Sequence, residues 1–310
     1  MTRRRLALAA ALLLALGAAH AQEAALRLVD DGGHAVALPH PARRIVALAP
    51  HLTELVYAAG AGSQLVAVGR YSDYPPAARS KPVISDAFAV DYEALTRLRP
   101  DLILVWGSGT SDRIKNKLRT LGLPVYEVEI RNVAGLADTL RSIGRLAGTE
   151  GVAQARAQAL SSDWAALKST YAGRRPVRVF FQLWDAPLMT LGGQHLISSA
   201  ISACGGTNVF AELPTLTATV SWEVAVQRDP ELVVTAGSGS EPARPGRWSD
   251  FAQVSATRHG EFGRVEGDLI TRSGPRFIDG ARELCMTIDR ARQGLPPPVF
   301  VGAGPASAPR

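Results

Sequence analysis

The sequence has little that would announce chemistry. Its two cysteines, Cys204 and Cys285, share no Cys-x-x-Cys or Cys-His spacing, which argues against a structural metal site. There is no Gly-x-Ser-x-Gly elbow, no Walker loop, no Gly-x-Gly-x-x-Gly and no His-Glu-x-x-His. No spacing nominates a Ser-His-Asp set, so an exported hydrolase has no positive support and the chain is expected not to be an enzyme. Beyond the N-terminus no stretch approaches the roughly 18 apolar residues of a membrane span. Histidines after His20 are single: His34, His40, His51, His195 and His259 form no His-x-His pair or His-rich loop, so no resident metal is expected.

What is present begins with an export signal. Arg3-Arg4-Arg5, an apolar run from Leu6 to about Ala18, and Ala19-His20-Ala21 predict cleavage before Gln22, with residues 1–21 removed and a soluble periplasmic protein left. Cleavage takes three arginines and no acid, leaving 31 basic against 28 acidic residues. A net charge that small gives no support for a nucleic-acid partner. In an exported chain an even cysteine count favours one disulfide over two buried thiols.

Two stretches align without a gap, 130 positions apart: Asp91 to Gly109, DYEALTRLRPDLILVWGSG, and Ser221 to Gly239, SWEVAVQRDPELVVTAGSG. Each predicts a capped helix, a Pro-acid turn, a buried strand and a Gly-Ser-Gly loop. Glu93 and Glu223 share the second helical position. Between the copies, Thr149 to Gly173 places Ala153, Ala157, Leu160, Trp164, Leu167 and Tyr171 at gaps of four and three. That is the stripe of a long helix with one buried face, with Thr149 as its N-cap and Gly173 as its stop. The fold class that follows is α/β. Two similar α/β lobes with mainly parallel sheets are joined by a single long helix, with a ligand cleft between the lobes. The expected organisation is an N-terminal lobe over 22–148, the linking helix over 149–173, a C-terminal lobe over 174–293 and a disordered Pro/Gly/Ala-rich tail over 294–310. A stiff helical joint predicts only small closure.

Finer expectations follow from local pattern. Residues 26–38 predict two short strands around Asp31-Gly32-Gly33. Pro50 and Thr53 are expected to open a helix over 54–59. Strands are expected at 44–48, 64–68, 125–130 and 177–184, and helices at 133–146, 195–204 and 275–291. A loop is expected over 241–247 and a last strand at Asp268–Ile270. Open α/β sheets bind ligands beyond the carboxyl ends of their strands. Those ends carry Tyr71, Tyr74, Phe88, Trp106, Trp184 and Met189, flat polarisable surface that suits a large, partly apolar ligand. His51 and His195 could reach the same cleft from opposite lobes, and two histidines with an acid could hold a transition metal or a haem iron.

The residues from about Arg44 to Ala291 resemble the periplasmic cobalamin-binding proteins that feed ABC importers. The resemblance rests on Tyr71-Ser72-Asp73-Tyr74-Pro75-Pro76, Arg99-Pro100-Asp101-Leu102, Cys204-Gly205-Gly206-Thr207-Asn208-Val209-Phe210 and Pro275-Arg276. The second and third runs also occur in haem and ferric-siderophore binders, which stand as the alternative. The resemblance implies a monomeric receptor without a cofactor, carrying cobalamin or a related corrinoid as transported ligand to an inner-membrane permease dimer. It implies that Tyr71 and Trp106 are aromatic corrin contacts and that Asp268 and Arg272 are polar ones. It also implies a Cys204–Cys285 disulfide and permease docking through Glu93 and Glu223. Three positions depart from the pattern. Ala87, beside Phe88, and Thr217 stand where the family has tryptophan, and Met189 where it has phenylalanine, with Trp184 as compensating surface.

Overall fold

A computed structural model describes residues 26–239, 243–295 and 300. The expected signal segment and most of the expected tail lie outside these residues. The first lobe opens with the hairpin β1 (Leu26–Val29) and β2 (Ala35–Leu38). It continues through β3 (Ile45–Ala47), α1 (Pro50–Ala58), β4 (Leu65–Gly69), β5 (Val83–Ser85), α2 (Tyr92–Leu98) and β6 (Leu102–Trp106). The helix α3 (Asp112–Thr120), the strand β7 (Val125–Val128) and the helix α4 (Val133–Ala147) complete it. Its five strands are parallel in the order β5-β4-β3-β6-β7. Such a sheet is covered on both faces, so β3 and most of β6 read as continuous apolar runs and are buried. Asp30 and Asp31 tie the hairpin to the edge strand, accepting the N–H of Glu127 and of Glu129 at 3.1 and 2.7 Å.

The long helix α5 (Glu150–Tyr171) follows. The second lobe holds β8 (Val177–Gln182), β9 (Met189–Leu191), α6 (Leu196–Ala203), β10 (Gly206–Asn208), β11 (Thr217–Thr219), α7 (Trp222–Gln227) and β12 (Leu232–Gly237). It ends with α8 (Ser255–His259), β13 (Phe262–Glu266), α9 (Gly267–Ile270) and α10 (Phe277–Arg292). Its parallel sheet has the order β10-β8-β12-β13, with β9 and β11 paired antiparallel beside it.

The two aligned stretches fold alike. Asp91 caps α2 by accepting the Ala94 N–H at 2.9 Å, and Ser221 caps α7 by accepting that of Val224 at 3.3 Å. Each helix ends at a left-handed residue before the proline, Arg99 at φ 43° and Asp229 at φ 44°. The acid after each proline then clasps the start of the neighbouring strand. Asp101 accepts the N–H groups of Arg43 and Arg44, and Glu231 accepts that of Arg178. Both repeat strands are interior, β6 between β3 and β7, β12 between β8 and β13.

The stripe of α5 is buried as its spacing predicts at Ala153, Ala157, Leu160 and Leu167, with Trp164 and Tyr171 packed partly buried. These residues belong to one apolar core that runs from Leu28 and Ile45 in the first lobe, through α5, to Val177 and Ile288 in the second. Gly173 does take a positive φ, 72°.

Four local expectations are corrected. Thr149 gives α5 no side-chain cap; its hydroxyl is buried without a partner. The first-lobe helix begins at Pro50 rather than Glu54, because proline suits the first turn, where no intrahelical N–H bond is lost. The strand expected at Asp268–Ile270 is the short helix α9, and the last strand is Phe262–Glu266. Gly263 and Arg264 hide that strand in the sequence. A Cβ at Gly263 would lie 2.3 Å from Thr287 Cγ2, so glycine lets α10 pack onto the sheet where propensity alone argues against a strand. Part of the loop expected over 241–247 is a 3-10 turn at Gly246–Asp250.

Candidate ligand cleft between the lobes

Trp106 ends β6 and marks the centre of the cleft. Its N–H donates to the Thr110 hydroxyl at 3.1 Å and its carbonyl accepts the Thr110 N–H at 2.8 Å, closing the Gly-Ser-Gly loop under the indole. A Cβ at Gly109 would fall 1.9 Å from the indole, so this loop needs a glycine there. His51, in the first turn of α1, meets Trp106 edge to face with centroids 5.1 Å apart. Burial, with help from the charge of Arg272, lowers the His51 pKa to about 4. The imidazole is therefore neutral and serves as a wall behind the indole.

Two compartments meet at Trp106. The first lies on the first lobe and is lined by Leu48, Pro50, Tyr71, Ala87 and Ile114. The second lies between the lobes, with Ser108 and Glu129 on one side and Leu183, His195 and Thr217 on the other. Tyr71 (73% exposed), Phe88 (83%) and Trp184 (63%) stand in solvent; Tyr71 lines the first compartment, while Phe88 and Trp184 follow the lining residues Ala87 and Leu183 without lining either compartment themselves. Tyr71 adopts φ 66°, a costly conformation for an aromatic residue. Its loop is held by the Thr53 hydroxyl donating to Ser72 Oγ at 3.0 Å. Phe88 rides on a turn in which the Asp86 carboxylate accepts the N–H groups of Phe88 and Ala89. Trp184 and Met189 face each other across an antiparallel bridge that extends β8 toward the cleft.

The lobes are also joined by charge. Glu54 is buried on α1 and receives Arg276 through two bonds, at 2.9 and 2.6 Å. Arg272 reaches Asp73 at 2.7 Å, Asp268 at 2.9 Å and Glu54 at 3.3 Å. The Arg276 guanidinium lies 3.9 Å from the centre of the Tyr74 ring. Burial alone would raise the Asp73 carboxyl, but Arg272 and Arg276 outweigh it and hold it below the usual carboxylate range. Arg272 thus binds Asp268 of its own lobe and reaches Glu54 and Asp73 of the opposite lobe in this arrangement. Sequence reasoning did not single out Glu54, whose only signal is an acid inside the apolar run Leu52 to Val56.

His195 caps α6, its Nδ1 accepting the Ile197 N–H at 3.1 Å, and burial lowers its pKa to about 4. Glu93 and Glu223 are exposed in the first turns of α2 and α7. Each helix runs back along the strand that follows it, so both acids lie on the side of their lobe where the cleft opens. Cys204 and Cys285 form a disulfide that joins the end of α6 to α10.

Residues 45–255 match the model of the family described as periplasmic binding protein. The chain belongs to that family. Among its relatives, the vitamin B12-binding protein of Vibrio cholerae is 33% identical over 259 residues, 83% of this chain and 93% of that one. The protein of the same name from Salmonella typhimurium is 32% identical over 252 residues, 81% and 92% of the two chains. The crystal structure of the periplasmic vitamin B12 binding protein BtuF of Vibrio cholerae superposes with a TM-score of 0.72 at 31% identity, covering 82% and 99%. The periplasmic heme-binding protein RhuT of Roseiflexus shares the fold, with a TM-score of 0.68 at 20% identity over 81% and 99%. Among the described residues no helix is long and apolar enough to cross a membrane.

Proposed function

We infer that this chain is the periplasmic receptor for cobalamin, or a closely related corrinoid, of an ABC importer. It carries its ligand and performs no catalysis. Residues 1–21 are removed on export, 22–148 and 174–293 act as the two lobes, and 149–173 joins them. The observation that carries this reading is the two-compartment cleft that meets at Trp106, with Tyr71 lining its first compartment and the exposed Phe88 and Trp184 next in sequence to the lining residues Ala87 and Leu183. A broad, flat, amide-decorated ring needs a wide cleft with aromatic faces, and sugars or amino acids need denser polar lining. Ala87 lines the first compartment and Thr217 the second, where the related pattern carries tryptophan, so each compartment has more room at the expense of aromatic contact. Haem ligation by the two histidines is disfavoured. His51 is buried behind Trp106, and the Nδ1 of His195 is committed to its helix.

Calorimetric titration of the protein from Gln22 onward with cyanocobalamin, with haemin in a parallel cell, tests this reading. One-to-one cobalamin binding is expected, weakened about tenfold or more in Trp106→Ala through loss of a large aromatic contact. Tight haemin binding with no cobalamin heat would overturn it.

A further inference from the structure

We propose that Glu129 and His195 form a carboxamide subsite, with His195 Nε2–H donating to the amide oxygen of the ligand and Glu129 accepting from its NH2. This rests on the corrinoid reading, since a corrin ring carries carboxamides around its edge whereas haem carries two carboxylates.

The two residues come from opposite lobes and line the same compartment. The loops that carry them also meet, for Arg131 Nη1 donates to Gln194 Oε1 at 2.9 Å. The tautomer of His195 is fixed by its partner. A backbone N–H can only donate, so the Nδ1 that accepts from Ile197 carries a lone pair and the proton sits on Nε2. Nε2 has no partner among the described residues, and it is not one of the buried polar atoms sealed from solvent. The ring therefore presents a neutral donor to the compartment. Its low pKa keeps it neutral at ordinary pH.

Glu129 is the complement. Its Oε2 accepts the Ser108 N–H at 2.6 Å, which orients the carboxylate, while Oε1 has no partner among the described residues. Arg131 is turned onto Gln194 and does not line the compartment. A group that offers one acceptor and two donors meets one donor and one acceptor here. A carboxylate would meet an acid instead. The same tautomer sets His195 against a role as a metal ligand, because Nε2 would have to lose its proton while Nδ1 has no lone pair to spare for one.

The test compares cyanocobalamin with the separated monocarboxylic acids made by hydrolysing single side-chain amides. For the wild type, at least one acid isomer is expected to bind about tenfold or more weakly than the parent. Glu129→Gln should narrow that gap, since it removes the charge and keeps the shape. His195→Ser keeps a good helix cap and removes the donor, and should weaken cyanocobalamin about five- to tenfold with an unchanged melting profile. Aquocobalamin, whose axial water exchanges, should keep its visible spectrum on binding. Equal affinity for every isomer, or unchanged affinity in His195→Ser, overturns the subsite. A spectral shift abolished by His195→Ser overturns the donor assignment. Failure of the wild type to bind any of these corrinoids overturns the functional reading itself, a result distinct from the others.

Discussion

At the scale of single residues, the molecule keeps two kinds of buried ionisable group, one neutralised by partners and one left alone. Glu54 is of the first kind, held by Arg272 and Arg276. Glu261 is of the second. It is 7% exposed, its Oε2 has no partner, and burial pushes its pKa up to about 7. The folded chain therefore prefers this carboxyl protonated. Its folded pKa lies above the unfolded one, so its contribution is full below about pH 4.5 and is lost as pH rises through about 7. Glu261→Gln should raise stability by about 1–3 kcal/mol at pH 8 and change it little at pH 5, as read from denaturant midpoints at the two pH values. An equal effect at both would mean the carboxyl is not the burdened group. Little of this was legible in the sequence. The aromatic residues of the cleft announced themselves, because Tyr71, Trp106 and Trp184 sit where strands end. Glu54 and Glu129 did not, since a lone acid looks the same whether it faces water, a partner on the other lobe or a ligand.

At the scale of elements, periodicity carried far. The stripe of α5 and the two aligned helix–strand units are borne out residue by residue, down to matching caps and matching left-handed turns. What failed was punctuation. Thr149 lacks the cap its type suggests, and β13 was missed because the close packing of α10 demands a glycine in mid-strand. Propensity is local, and the second failure was decided by a residue distant in sequence, Thr287 on α10. The disulfide acts at this scale too. It closes 81 residues between α6 and α10, a span the chain-entropy model values at about 4 kcal/mol. Replacing both cysteines by alanine should lower the unfolding free energy obtained from denaturant titration by a comparable amount while leaving cobalamin affinity close to that of the wild type. Loss of affinity in step with stability would show that the staple also shapes the cleft.

At the scale of the whole molecule, two exposed acids stand on matching turns of matching lobes. A permease dimer with one cationic patch per subunit would meet one acid from each lobe. Glu93→Ala with Glu223→Ala should leave cobalamin affinity intact and weaken capture by the permease in membranes. Parallel loss of both would remove docking as the explanation. The two-lobed plan itself was legible from the repeat and the long helix. The ionic contact from Glu54 and Asp73 to Arg272 and Arg276 was not, because it joins residues about 200 positions apart. One feature of the plan bears on how the chain comes apart. Its apolar core does not stop at the lobe boundary but passes through α5 from one sheet to the other. Neither lobe can melt without stripping the helix that the other depends on, so heating should produce one cooperative transition where the outline of the molecule suggests two.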